Sequence, residues 1–393
     1  MAQKRVSYHT QHSYQMNERL KELQRELPSL CTDYFRAISQ TTSPLTRLAY
    51  AYDLRLFFQY LRLENVTFAN SSTIMLTGDD IARVTARDIA GFQEYLQQYV
   101  RETDMQDDGT ASGDDSSPVL IQNYELGIMR KLSCVRSFFD YLFKNEIIPA
   151  NVATMITLPK RREKPILYLE PDEVARLMDA VQSGEGLSPR QQQYLKTTQR
   201  RDIAILMMFL GTGIRVSELI GLDIDDLDFT QNAFMVTRKG GNQTILYYPD
   251  AVQRALESYL QEREQVTTLP GHEYALFLSL QRRRITARAV ENLVKKYAQI
   301  AAPLKKQISP HKLRSTFGTN LYQETGDIYL VSDALGHSDV NTTKRHYAAM
   351  KDSRRREAAQ RIPLPELKKT IDRAMQTGVC MVYYQQRYRR YDE

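Results

Sequence analysis

"ISPHKLRSTFGTNLYQETG", residues 308–326, reads as one capped helix with two unlike faces. Ser309 suits the N-cap, Pro310 the first helical position and Gly326 the exit. Leu313, Phe317 and Leu321 recur every fourth residue, which makes them a buried stripe. His311 and Arg314 lie three residues apart, nearly one turn, so they are neighbours on the helix surface. Standing alone, that pair reads as part of a solvated polar face. Three other stretches change the weighting.

"GTGIRVSEL" (211–219) breaks a strongly apolar helical run at Gly211-Thr212-Gly213, then presents Arg215 and, one turn later, Glu218. By themselves these two read as a simple ion pair. In "NAFMVTRKGGNQTILYY" (232–248), Phe234 and Val236, then Ile245 and Tyr247, alternate around Gly240-Gly241. That pattern predicts a tight hairpin with Lys239 at its tip. "LGHSDVNTTKRHY" (335–347) places His337 directly after a glycine and Tyr347 at its end. Alone, His337 reads as a capping histidine and Tyr347 as one of 24 tyrosines.

Taken in order, "GTGIRVSEL", "TRKGGN", "HKLRSTFGT" and "LGHSDVNTTKRHY" resemble the signature of the tyrosine recombinases, the phage-integrase-like DNA strand-exchange enzymes. The likeness spans 168–350 and is nearest to the Xer-type recombinases of Gram-positive bacteria. It implies a mainly α protein. A helical, SAM-like core-binding domain would precede a mixed α/β, mostly helical catalytic domain with a small β-hairpin or sheet.

The resemblance also assigns roles. Attack on a DNA phosphodiester builds negative charge on the non-bridging oxygens, and guanidinium forks hold such oxygens bidentately where a lysine does not. Arg215 and Arg314 are the expected clamp, with Glu218 an accessory group that orients it. Tyr347 is the expected nucleophile; an ordinary phenol ionises near pH 10, so it must shed its proton as it attacks. His311 is the expected acid/base, His337 its neighbour at the phosphate, and Lys239 the donor to the departing 5′ oxygen. The product is a 3′-phosphotyrosine, which keeps the bond energy for a second strand to recover. The expected reaction needs no cofactor, metal or ATP, and no carboxylate cluster suited to Mg²⁺ is legible. Two alternatives stay open: a type IB topoisomerase-like relaxing enzyme, and a DNA-binding regulator without chemistry.

Residues 1–158 read as helical. "SPLTRLAYAYDLRLFFQYLRLE" (43–64) has an N-cap at Ser43 and apolar positions at Leu48, Tyr52, Leu56, Phe57 and Leu61. "RKLSCVRSFFDYLFKNEIIPAN" (130–151) repeats the pattern with Leu132, Val135, Phe138, Phe139 and Leu142. Between them "TDMQDDGTASGDDSS" (103–117) is acidic and rich in turn formers, and reads as a mobile insertion. A basic, proline-containing linker is expected at 159–167, a catalytic domain at 168–350, and a tail at 351–393 that docks on a neighbouring protomer or packs on its own domain.

At 393 residues the chain has room for two domains and a tail. A net charge of +6 permits nucleic-acid binding without demanding it. Clusters at 282–284, 305–306 and 354–356 lend support only, since charge runs are usually solvated surface. No apolar run approaches the roughly 20 residues of a bilayer span, and the N-terminus lacks a secretory core. Cys31, Cys134 and Cys380 are far apart, which fits reduced thiols in a cytoplasm. The expected partners are double-stranded DNA with paired sites and further copies of the chain, a dimer per site and a synaptic tetramer; no membrane is implied.

Overall fold

The computed structural model describes residues 7–69, 71–101, 119–159, 166–238, 241–305, 307–336, 339–341 and 343–344. It is mainly helical with two small sheets. The chain divides into two compact units, Met1–Lys164 with Met235–Ile245, and Pro165–Phe234 with Leu246–Glu393. The 103–117 insertion, the greater part of the 159–167 linker and the 351–393 tail lie outside the described residues.

The N-terminal unit contains α1 (Tyr8–Gln24), α2 (Ser29–Ala37), α3 (Pro44–Glu64), α4 (Gly78–Ala82), α5 (Ala86–Tyr95), β1 (Gln98–Arg101), β2 (Val119–Gln122) and α6 (Glu125–Lys144). Ser43 caps α3 as its sequence predicts, its hydroxyl accepting from the Thr46 N–H at 3.2 Å. Thr77 with Asp80, and Thr85 with Asp88, form reciprocal capping boxes at the starts of α4 and α5. Leu48, Leu56, Phe57 and Leu61 of α3 are buried against Leu132, Val135, Phe138, Phe139 and Leu142 of α6. The rings meet edge to face, Phe57 on Phe92 at 5.1 Å and Phe58 on Phe138 at 6.1 Å between centroids. Cys31 and Cys134 are buried, unbridged thiols, and burial pushes both ionisations up.

One feature departs from the helical expectation for residues 1–158. β1 and β2 pair antiparallel, Gln98 opposite Gln122 and Arg101 opposite Val119. The 103–117 insertion therefore connects the strands of a ribbon. Strands this short carry too little periodicity to stand out beside a segment rich in glycine, serine and aspartate.

The chain from Pro165 onward contains α7 (Pro171–Ser183), α8 (Pro189–Thr212), α9 (Val216–Gly221), β3 (Leu227–Asp228), β4 (Ala233–Thr237), β5 (Gln243–Tyr247), α10 (Asp250–Arg263), α11 (Ala287–Ala301), α12 (Pro310–Thr325) and α13 (Ile328–Leu335), with Met235–Ile245 grouped with the first unit. Helix α8 packs against α7, α10 and α12. Its Asp202, only 1% exposed, accepts from the Tyr297 hydroxyl of α11 at 2.9 Å and pairs with Arg201 at 2.7 Å and Lys296 at 3.3 Å. A buried carboxylate persists there because it is fully partnered.

Helix α8 ends where the Gly211-Thr212-Gly213 stretch places the break: it runs through Thr212 and stops at Gly213, whose φ of 62° is left-handed. Gly211 is a close-packing position, where a Cβ would lie 2.6 Å from Val252 Cγ2. In the hairpin, Phe234 and Val236 are buried on β4, but β5 buries Leu246 and leaves Ile245 and Tyr247 at 58% and 70% exposure. Tyr248, just past β5, stacks on Phe234 at 5.9 Å. On β5 the inward-facing position is thus Leu246, and the alternating residues Ile245 and Tyr247 lie on the opposite, exposed face.

Candidate active site

The site is built where the end of α8, the start of α9, the middle of α12 and the end of α13 come together. Gly213 turns the chain out of α8, and a Cβ there would sit 2.4 Å from Phe317 Cδ1 of α12. Only glycine combines that conformation with that approach. Arg215 then takes the N-cap of α9 in extended conformation. Glu218, one turn on, accepts the Arg215 backbone N–H at 2.9 Å and its Nη1 at 2.8 Å. With 4% exposure, Glu218 is held inside the fold while the Arg215 side chain keeps 36% of its surface open. One carboxylate therefore both starts a helix and aims a guanidinium.

Helix α12 begins as its sequence predicts, with Ser309 at the N-cap, Pro310 after it and left-handed Gly326 at the exit. The Ser309 backbone carbonyl, not its hydroxyl, receives the first N–H groups, those of Lys312 at 2.8 Å and Leu313 at 3.1 Å. Arg314 is no solvated residue: it is 5% exposed. Its Nη1 donates to the Gly213 carbonyl and its Nη2 to the Leu335 carbonyl. Arg215 Nη2 reaches the same Leu335 carbonyl at 3.2 Å and that of Gly336 at 3.0 Å. Two guanidinium groups from distant parts of the sequence share one oxygen at the C-terminal, electronegative end of α13. His311 stands exposed in the first turn of α12, one turn before Arg314.

Arg215 has the Glu218 carboxylate as its partner, and Arg314 is held on backbone carbonyls. Buried donors that are fixed before a ligand arrives favour charge that develops during reaction. Lys239, His337 and Tyr347 fall outside the described residues.

Sequence reasoning missed the backbone carbonyls of Gly213, Leu335 and Gly336, which have no side-chain signature. It also missed Arg284, read only as part of a basic cluster. Arg284 is nearly enclosed: it donates to the carbonyls of Ile220 at 3.0 Å and Leu222 at 2.8 Å and pairs with Asp223, tying down the end of α9. Lys305, from another cluster, is spent on Glu173 at 2.5 Å and the Tyr168 carbonyl at 2.9 Å.

Residues 168–354 match the model of the phage integrase family. Over 339 residues the chain is 30% identical to tyrosine recombinase XerC of Caldanaerobacter subterraneus subsp. tengcongensis, covering 85% of this chain and 86% of that one. The chain belongs to the tyrosine recombinases. It is also 34% identical over 232 residues to tyrosine recombinase XerC of Thermodesulfovibrio yellowstonii, 58% of this chain and 73% of the relative. In fold, this tyrosine recombinase is similar to XerH site-specific recombinase bound to palindromic difH, with a TM-score of 0.57, 19% identity and coverage of 82% and 81% of the two chains. The Tn1549 transposon integrase in complex with circular intermediate DNA has a similar fold, with a TM-score of 0.55, 19% identity and coverage of 81% and 95%.

Proposed function

We propose that this tyrosine recombinase is a site-specific enzyme of cytoplasmic DNA, cutting and rejoining duplex strands through a 3′-phosphotyrosine. The observation that carries this reading is the convergence of Arg215 and Arg314 on one oxygen position. In the reaction, the non-bridging oxygens of the scissile phosphate take up donors of these two guanidinium groups. Glu218 keeps Arg215 aimed as charge builds. His311, a turn away from Arg314, moves a proton at the same phosphate, with His337 beside it. Tyr347 supplies the nucleophilic oxygen, and Lys239 gives a proton to the departing 5′ oxygen. The phosphorus–oxygen bond to the 5′ carbon's oxygen breaks as the bond to the phenolic oxygen forms, so the reaction is a transesterification that a second 5′ hydroxyl reverses.

Two copies occupy a pair of binding sites, and two such pairs meet as a tetramer that exchanges strands through a Holliday junction. Residues 1–158 and 168–350 act as core-binding and catalytic domains joined by the 159–167 linker, and the 351–393 tail docks on the adjacent protomer.

The test is a plasmid carrying two copies of the site this protein protects in a footprint. Deletion or inversion of the intervening segment is the expected product. Relaxation with no joining of the two sites marks a topoisomerase-like enzyme, and binding with neither outcome marks a regulator.

A further inference from the structure

Residues 166–170, which lead from the expected 159–167 linker into α7, belong to no helix or strand, yet Leu169 is fully buried. A buried backbone N–H outside regular structure needs a partner from elsewhere. The Leu169 N–H donates to Thr316 Oγ1 at 2.9 Å, and the Thr316 hydroxyl donates in turn to the Lys312 carbonyl at 3.0 Å. Thr316 is itself fully buried, and it lies on α12 two residues after Arg314. Two residues turn a helix by about 200°. Thr316 is thus held on one side of α12, while Arg314 grips the Gly213 and Leu335 carbonyls on the other.

Two further contacts make the same segment a strut. Ile166 packs against Tyr322, Ile328, Val331 and Leu335, the small core formed by α12 and α13. The Tyr168 carbonyl accepts from Lys305, just ahead of α12, at 2.9 Å. Of these contacts the Leu169–Thr316 bond is both buried and directional, and its loss orphans a buried N–H. We propose that Thr316 is a positioning residue of the reaction: through the Leu169 N–H it fixes the rotation of α12, and with it the fork of Arg314 at the phosphate. The proposal rests on the clamp reading above and adds to it a part that touches no substrate.

The test is the rate of covalent-complex formation by the full chain on a nicked duplex of its footprinted site, at saturating protein, beside affinity for the intact duplex. Thr316→Val keeps the shape and deletes the acceptor. It is expected to slow cleavage about 10-fold, since an ångström of misplacement can cost about 10², with affinity unchanged. Thr316→Ser keeps the hydroxyl and is expected to recover most of the rate. Replacing Leu169 by its α-hydroxy acid turns the amide into an ester and removes the donor instead. The same slowing is expected, without adding to that of Thr316→Val; a loss through Lys305 would add. Thr198→Val is the control, because Thr198 is a buried hydroxyl on α8 that bonds Asp202 at 3.3 Å; its rate is expected to match wild type. A wild-type rate for Thr316→Val, or equal slowing by Thr316→Ser and Thr316→Val, overturns the assignment and leaves the wider function intact. Equal slowing by Thr198→Val also overturns it, since general loss of stability would then suffice. Should Thr316→Val not fold, the ester variant stands in its place, and a wild-type rate for it overturns the assignment. Absence of cleavage by wild type overturns the proposed function as well.

Discussion

Arg215 and Arg314 meet on a single atom, the carbonyl oxygen of Leu335. Arg215 comes from the start of α9 and Arg314 from within α12. Glu218 orients the first, and the Gly213 carbonyl the second. Each guanidinium is thus set by a partner outside the substrate. Such preorganisation lets donors act on a transition state without being gathered at the moment of reaction.

A conservative exchange of either arginine tests the clamp. Lysine keeps the charge but loses the planar fork. Arg314→Lys and Arg215→Lys should each slow formation of the covalent DNA complex by about 10²–10³-fold. Gel-shift affinity for intact duplex should change far less, because it is spread over many phosphates.

Glu218 carries a separate prediction. Removing it leaves the Arg215 backbone N–H and one guanidinium donor without their acceptor. Glu218→Ala should destabilise the fold by about 1–3 kcal/mol, read by chemical denaturation. Glu218→Gln retains an acceptor oxygen and should lose less. The solvent-open part of Arg215 sets the lower end of that range.

Gly213→Ala strikes the junction of α8 and α12. The added methyl meets the Phe317 ring, and the left-handed φ is strained for alanine. A loss of about 1–3 kcal/mol is expected from overpacking, together with slower strand cleavage, because the Gly213 carbonyl holds Arg314. A melting curve and a cleavage time course read the two effects.

The helix caps, the buried stripes of α3 and α6 and the candidate arginines were legible because each rests on side-chain type at a fixed spacing. Ser43, Leu132 and Phe138 announce their places through local chemistry alone. The convergence of Arg215 and Arg314 was not legible from spacing: it depends on the carbonyls of Gly213 and Leu335, identical in every peptide unit. The β1–β2 ribbon and the choice of the inward face of β5 were hidden for a related reason. Short strands are fixed by their tertiary neighbours, as Tyr248 is by Phe234, more than by local pattern.

Alkaline pH should weaken the fold. Burial raises the hydroxyl ionisation of Tyr259 to about 12, and holds Tyr34 and Tyr297 well above the ordinary tyrosine range. A raised folded-state value means the unfolded chain loses its protons first. These groups therefore stabilise fully below about pH 10, and the contribution disappears as pH rises toward and past 12 for Tyr259. Melting temperature should fall progressively above pH 10, and absorbance at tyrosinate wavelengths should show the last phenols ionising together with unfolding.

The most direct measurement offers the protein a nicked duplex of its own site, from which the cleaved strand escapes and religation stops. Wild type should accumulate a covalent adduct whose phosphate maps by mass spectrometry to the Tyr347 hydroxyl, and Tyr347→Phe should bind the same duplex and form none. An adduct of undiminished yield with Tyr347→Phe, or a phosphate mapped to another side chain, would contradict the account.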